Sequence, residues 1–136
     1  MIAGHQPSFH IGIFVYDPDV DALRLAAQVL GAGEDDEDGV VPGSWLLDVD
    51  ESVSGRVYRT GAPILIPDVH LDPDYRARPG SRTRSELIVP IVAGDRVVAV
   101  ASLEAPWVSA FTIEDYDRVR GQVEVLGPSF PRDDWG

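Results

Sequence analysis

The sequence predicts a single α+β domain, and three observations lead to this prediction. The 136 residues suit one domain, and 44% of them are hydrophobic, which is enough to fill a core of that size. Short segments rich in β-branched and aromatic residues recur along the chain, as strands require. Two further segments begin with residues that favour helix starts. We expect residues 1–136 to form this one domain, with short tails at 1–8 and 128–136.

The first predicted elements are two strands that form a hairpin. Residues 9–16 are aromatic and β-branched, and residues 23–30 follow after an Asp-Pro-Asp turn signal at 17–19. Alternation in the second strand is expected to place four residues on one face: Leu23, Leu25, Ala27 and Val29.

A strongly acidic segment comes next. Residues 34–38 are five consecutive acids within the glycine-bounded stretch 31–43. Like charges repel, so we predict a solvated loop. A metal site is the alternative, but the run lacks the spacing of an EF-hand loop.

A short helix is predicted at residues 51–60. Either Asp50 or Ser52 can cap its start, and Gly61 can end it in the left-handed conformation. Residues 64–66 (Ile-Leu-Ile) are predicted to form a third strand. The polar, proline-containing stretch that follows is expected to be a long loop, and loops of that length in a compact domain are often functional.

Two nearly continuous apolar strands are predicted at residues 85–92 and 97–104, around a Gly-Asp turn at 94–95. Because neither strand alternates, we expect both of its faces to be covered, as in the centre of a sheet.

The last predicted element is a helix at residues 113–126. Thr112 and Asp115 resemble a capping box, with Asp in place of the usual Glu. Apolar residues recur at intervals of three and four along one stripe, which we expect to face the core: Tyr116, Val119, Val123 and Leu126.

Charge and composition exclude several classes of function. The net charge of −12 repels a phosphate backbone, which argues against nucleic-acid and anionic membrane partners. No apolar run is long enough to span a bilayer. The chain has no cysteine, so it lacks a thiol nucleophile, a thiolate zinc site and any disulfide, and we expect a cytoplasmic protein without metal or cofactor.

Five phrases in this order resemble the GAF family, the small-molecule-sensing domains of signalling proteins. They are GRVYRTGAP at 55–63, IPDV at 66–69 followed by DPDY at 72–75, SELIVPI at 85–91, SLE at 102–104 and AFTIED at 110–115. The resemblance implies a central antiparallel sheet of five or six strands, with the C-terminal helix on one face and a long loop over the other. Family members usually begin with a helix that packs beside the last one and often forms the dimer interface. Here only about nine residues precede the first predicted strand.

This architecture leaves a cavity that a loop could close. The candidate lid is residues 69–84, and Tyr75 is its largest apolar group. Its arginines, Arg76, Arg78, Arg82 and Arg84, could bind a carboxylate or phosphate. The alternative is that they neutralise the acidic surface of the protein itself.

The branches of the family differ in residues that this sequence can test. The cyclic-nucleotide-binding branch requires Asn and Lys, and the chromophore-binding branch requires Cys, none of which occurs here. The stretch from 66 to 90 resembles free methionine-(R)-sulfoxide reductases. Where those enzymes have cysteines, this chain has Ser54 and either Ala77 or Arg78. The resemblance therefore does not imply reductase activity.

The same resemblance matches Glu86 and Glu104 to acids that bind the substrate of that branch, while Ser102 replaces a third acid. Together the two carboxylates could hold an ammonium group, unless each pairs with an arginine at a wet strand end. Their geometry depends on the turn at 94–95. A two-residue hairpin would place Glu86 opposite Leu103 and facing away from Glu104, whereas a three-residue turn or a bulge would place both acids on one face.

The leading hypothesis is a non-catalytic module that senses a small molecule bound under the loop. The alternative is a protein-interaction or dimerisation module whose cavity is filled by its own side chains, with a second copy or a separate signalling protein as partner. A sulfoxide-reductase-like enzyme is the third hypothesis. No catalytic or metal-binding residue is predicted, and the ligand-binding candidates are Tyr75, Arg84, Ser85, Glu86, Ser102 and Glu104.

Overall fold

The computed structural model describes residues 10–30, 46–73, 75 and 82–124. Its strands are β1 (His10–Asp17), β2 (Ala22–Leu30), β3 (Leu46–Asp48), β4 (Ile64–Ile66), β5 (Ser85–Ala93) and β6 (Arg96–Ala105). Its helices are α1 (Val53–Thr60) and α2 (Ile113–Glu124), with a short 3₁₀ turn at Val69–Leu71. The strands form one antiparallel sheet in the order β3-β2-β1-β6-β5-β4. The acidic run 34–38, both predicted tails, and Arg76, Ala77 and Arg78 lie outside the described residues.

The sheet has a separate hydrophobic core on each face. On one face, α1 and the 3₁₀ turn pack against Phe14, Ile88 and Val100. On the other face, α2 packs against a core that contains Leu87 and Leu103. Neighbouring residues of β5 and β6 therefore enter different cores, which is why these strands are apolar without alternation.

Both ends of α1 are built by the residues around them. The hydroxyl of Ser52 accepts a hydrogen bond from the N–H of Gly55 at 2.9 Å, so Ser52 and not Asp50 is the N-cap. Gly61 adopts φ 75°, and its N–H donates to the carbonyl of Val57 at 2.8 Å. The predicted left-handed helix end is thereby confirmed.

The first strand of the sheet in spatial order, β3, was not predicted. It has three residues, and of these only Leu47 is buried, where it pairs with Leu23 of β2. A strand this short offers too few alternating positions to be distinguished from a loop by pattern.

The prediction that the alternating residues of β2 share one face is wrong for Ala27. Leu23 and Leu25 are buried, whereas Ala27 is exposed. The β1–β2 register shifts between Ile13 and Phe14, so that Ala27 lies opposite Ile13. This bulge moves Ala27 to the face opposite Leu25, an effect that alternation alone does not reveal.

The capping box of α2 is confirmed. The N–H of Thr112 donates to Oδ2 of Asp115 at 2.8 Å, and the N–H of Asp115 donates to Oγ1 of Thr112 at 3.1 Å. Of the predicted stripe, Val123 is buried and Tyr116 and Val119 are partly buried, while Leu126 lies outside the described residues. Neither helix in the described ranges has the length and apolar character that crossing a bilayer requires.

Candidate functional site

A bulge in the β5–β6 hairpin determines the direction of the two predicted acids. The register of the pair shifts by one residue between Ile91 and Val92. Beyond the shift, Glu86 lies directly opposite Glu104 and not opposite Leu103. Residues opposite each other in an antiparallel pair share one face of the sheet. The bulged alternative is therefore the correct one, and the two carboxylates point to the same side.

The two acids and the serine between them form a buried, hydrogen-bonded cluster. Glu86, Ser102 and Glu104 are 4%, 1% and 5% exposed. The Ser102 hydroxyl donates to Oε2 of Glu86 and lies 3.4 Å from Oε2 of Glu104. The hydroxyl of Thr83 donates to Oε1 of Glu104 at 2.5 Å. Ser102 thus connects the two carboxyl groups, and Thr83 positions the second of them.

The surroundings of Glu86 favour its neutral form. Burial raises the pKa of Glu86 well above its usual range, and the negative charges of Glu104 and Asp72 raise it further. The hydrogen bond from Ser102 acts in the opposite direction but does not compensate. A glutamate in this position holds a proton more readily than an exposed glutamate does.

The cluster faces a small cavity between the sheet and α1. Its other lining residues are Phe14 and Leu47 from the sheet, residues 52–54 at the start of α1, and Tyr75. The cavity has a volume of about 10 Å³, room for roughly one water molecule. Tyr75 is partly buried against the same core, and among the described lining residues it alone comes from the predicted lid at 69–84.

Two predicted ligand-binding residues lie outside this cavity. Because side chains alternate along β5, Ser85 points away from Glu86. Its hydroxyl donates to the carbonyl of Trp107 at 2.7 Å and accepts the N–H of Ala110 at 3.2 Å, which ties down the segment after β6. The guanidinium of Arg84 is partly exposed and pairs with Asp68 at 3.2 Å. The structure therefore brings together four of the six predicted residues: Tyr75, Glu86, Ser102 and Glu104.

Other residues of the cavity and of the cluster were missed by sequence reasoning. Phe14 reaches the cavity because β1 pairs with β6, and no local pattern specifies that strand order. Thr83 precedes β5, and its role depends on the bulge. Ser54 did carry a signal, since the resemblance to the reductases matches it to one of their cysteines, and it is buried in the cavity wall.

The chemistry available to the cluster is that of carboxyl and hydroxyl groups. It can accept hydrogen bonds from a donor and balance a positive charge. Within the ranges described, no three acidic or histidine side chains come together in a way that could hold a metal ion.

A larger apolar groove lies on the opposite face of the sheet. It has a volume of about 390 Å³ and runs between α2 and strands β1 and β6. Its apolar walls include Ile11, Ile13, Leu103, Phe111 and Val119.

Comparison with protein families identifies the class of protein that this architecture represents. The family model of the GAF domain matches residues 6–124. The chain therefore belongs to the GAF family. No curated protein matches the sequence.

Solved structures with the same fold include both enzymes and domains without a described activity. The free methionine-R-sulfoxide reductase of Neisseria meningitidis, solved with its substrate, has a TM-score of 0.73 and 22% identity, covering 89% of this chain and 66% of that one. The GAF domain of a phosphoenolpyruvate-protein phosphotransferase from Coxiella burnetii has a TM-score of 0.74 and 20% identity, covering 88% and 69%. A structure described as that of the GAF domain has a TM-score of 0.74 and 19% identity, covering 92% and 66%. At these identities the likeness concerns the fold.

Proposed function

We propose that this chain is a non-catalytic sensory domain that binds a small molecule through its ammonium group, held by Glu86, Ser102 and Glu104. The observation that supports this proposal is the pair of carboxyl groups that face each other in the protein interior. Burying two acids side by side is unfavourable, and apolar residues would stabilise the same core better. An ammonium group supplies the positive charge and the N–H donors that such a pair can use.

Access to the site requires Tyr75 to move. A cavity of about 10 Å³ does not accommodate an organic amine. The walls from the sheet and α1 are parts of regular elements, whereas Tyr75 lies in the segment between the 3₁₀ turn and β5. The base of this segment is anchored, because the N–H of Val69 donates to the carbonyl of Arg84 at 2.8 Å. Displacement of Tyr75 on binding would provide the conformational signal of a sensor.

Fold and composition together favour binding over reaction. The GAF fold supports a sensory or regulatory role. A structural neighbour acts on free methionine-R-sulfoxide, and a free amino acid carries an ammonium group. That neighbour is named as a reductase, and sulfoxide reduction by cysteine needs thiol chemistry that a chain without cysteine does not have.

The test is a thermal-shift screen of the full chain against free amino acids and simple amines, each beside its N-acetylated counterpart. We expect one or more amines to stabilise the protein, by about 2.7 kcal/mol at a concentration of 100 times Kd. The acetylated counterparts, which have no positive charge, should have no effect. Glu86→Gln should abolish the stabilisation, and Glu124→Gln, a change at an exposed residue of α2, should not. Equal stabilisation by amines and their acetylated forms would refute the proposal, as would the absence of any effect.

The apolar groove supports a second candidate, a protein-interaction or dimerisation module. The cavity beside Glu86 is nearly filled, whereas the groove of about 390 Å³ is not. In that case Ile13→Asp should change the mass of the native assembly measured by light scattering, and Glu86→Gln should leave it unchanged. A monomer in both variants and in the unmodified chain would exclude self-association. Sulfoxide reduction by the purified protein would contradict the non-catalytic assignment.

A further inference from the structure

The electrostatic surroundings of Glu86 are predominantly acidic. β6 contributes Glu104, and the segment after the 3₁₀ turn contributes Asp72. Asp72 lies 3.7 Å from Arg56 of α1, which offsets part of its charge. Along the chain the nearest charged residue is Arg84, just before β5, and its guanidinium pairs with Asp68.

Apart from the two glutamates, the lining residues that the structure describes carry no charge. α1 contributes the hydroxyls of Ser52 and Ser54, and Tyr75 contributes a neutral ring. Two carboxylates that face each other in such a site repel strongly if both are ionised, because the dielectric screening of water is absent. One proton on the pair removes this repulsion.

The hydrogen bonds of the cluster suit a pair that holds one proton. A protonated Glu86 can donate its O–H to the oxygen of Ser102, and the Ser102 hydroxyl can then donate to Glu104, 3.4 Å away. The Thr83 hydroxyl already donates to the other oxygen of Glu104. The two acids thus have different partners, and Glu86 is the one placed to carry the proton.

We propose that the Glu86–Glu104 pair is a proton–cation exchange site, occupied by one proton in the free protein and by the ammonium group of the ligand in the complex. The ligand part of this inference rests on the proposed function. The exchange conserves charge: one proton on two carboxylates gives a net −1, and an ammonium ion between two carboxylates gives the same value. The proton goes to solvent, and the three N–H donors of a primary ammonium replace its hydrogen bond with bonds to Glu86, Ser102 and Glu104. Binding is therefore coupled to pH.

The free protein tests the first half of the exchange without any ligand. The native state holds a proton that the unfolded chain has released once the pH exceeds the ordinary value for glutamate. The stabilising contribution of this proton is complete below that value and is lost as the pH rises toward the raised pKa of Glu86. Over that range the unfolding constant of the unmodified chain, relative to Glu86→Gln, should rise about tenfold per pH unit.

Urea titrations at several pH values measure the unfolding constants of the unmodified chain and of Glu86→Gln, and hence their ratio. Glu124→Gln is the control, which should retain the pH dependence of the unmodified chain. Infrared spectra recorded over the same pH range should show the band of a buried protonated carboxyl, which is lost in Glu86→Gln. Gln has the shape of a protonated Glu, so Glu86→Gln should fold. Glu104→Gln is a second variant in which only one acid of the pair remains. The proposed exchange would be overturned if the ratio of the two unfolding constants were independent of pH and no carboxyl band were observed.

Methylammonium chloride tests the second half of the exchange, in which an ammonium group replaces the proton. Tetramethylammonium chloride is the control, because it has no N–H donor. Methylammonium should bind about tenfold more tightly for each pH unit while Glu86 retains its proton. Neither Glu86→Gln nor tetramethylammonium should show this dependence. Binding of methylammonium with the same affinity at every pH would refute the exchange and leave the proposed cation site intact. The absence of methylammonium binding at any pH, beside a clear carboxyl band, would refute the cation site and the exchange together.

Discussion

Substitution of Gly55 by alanine tests whether the packing of α1 sets the cavity wall. A Cβ at this position would lie 2.2 Å from the carbonyl oxygen of Val49 and 2.6 Å from that of Asp48. Real Cβ atoms essentially never approach other atoms closer than 3.0 Å, so α1 or the preceding turn must move by about 0.8 Å, the difference between 3.0 and 2.2 Å. The obstacle is backbone and cannot rotate aside, which favours the upper end of the usual overpacking cost, about 3 kcal/mol. The higher helix propensity of alanine returns about 1 kcal/mol.

We therefore expect Gly55→Ala to lower the free energy of unfolding by about 2 kcal/mol, or Tm by on the order of 8 °C at about 4 °C per kcal/mol. Gly121→Ala is the matched control, because Gly121 is an exposed residue of α2 with no atom within 4 Å of the added Cβ. There alanine should stabilise the protein by roughly 0.5–1 kcal/mol. Differential scanning calorimetry of both variants decides the matter. If Gly55→Ala leaves Tm unchanged or raises it, as Gly121→Ala is expected to do, the close approach of α1 to Val49 is wrong.

Three further predictions concern the cluster, Tyr75 and the hydrophobic core. Ser102→Ala removes the hydroxyl that connects the two acids and should lower stability by about 1–3 kcal/mol in urea titrations; an unchanged urea midpoint would mean that the hydrogen bond contributes nothing. Tyr75→Ala should weaken amine binding in calorimetric titrations, and an intact fold with unchanged affinity would exclude Tyr75 from the site. Ile88→Ala, at a fully buried position, should cost about 2–5 kcal/mol, whereas Ile113→Ala, at a residue that is 65% exposed, should change stability by less than about 0.5 kcal/mol. Similar losses in these two would contradict the assignment of the core.

The fold was predictable where local chemistry determines it. The capping box of α2, the left-handed Gly61 and the two covered strands β5 and β6 follow from residue types within a few positions of one another. For the N-cap of α1, local chemistry narrows the choice to Asp50 or Ser52. Neither β3 nor the face on which Ala27 lies was predictable from neighbouring residues in this way. The first is too short to show a pattern, and the second follows from a register shift that involves a neighbouring strand.

The candidate site, too, was predictable only where residues close in sequence determine it. Glu86, Ser102 and Glu104 could be selected from the sequence, but whether the acids share a face depends on one extra residue in the β5–β6 hairpin. Ser85 is adjacent to Glu86 in sequence, but the alternation of β5 directs its hydroxyl to the carbonyl of Trp107. Thr83 could not be identified, since its contact with Glu104 joins residues 21 positions apart.

The central claim is that the pair Glu86 and Glu104 holds a small cationic molecule. The most direct test compares the mass of the full chain under native conditions with its mass after denaturation, for the unmodified chain and for Glu86→Gln purified in the same way. The account predicts an additional mass of a small organic amine on the native unmodified chain, lost on unfolding and absent from Glu86→Gln. The same native mass for both proteins, corrected for the substitution, would contradict it.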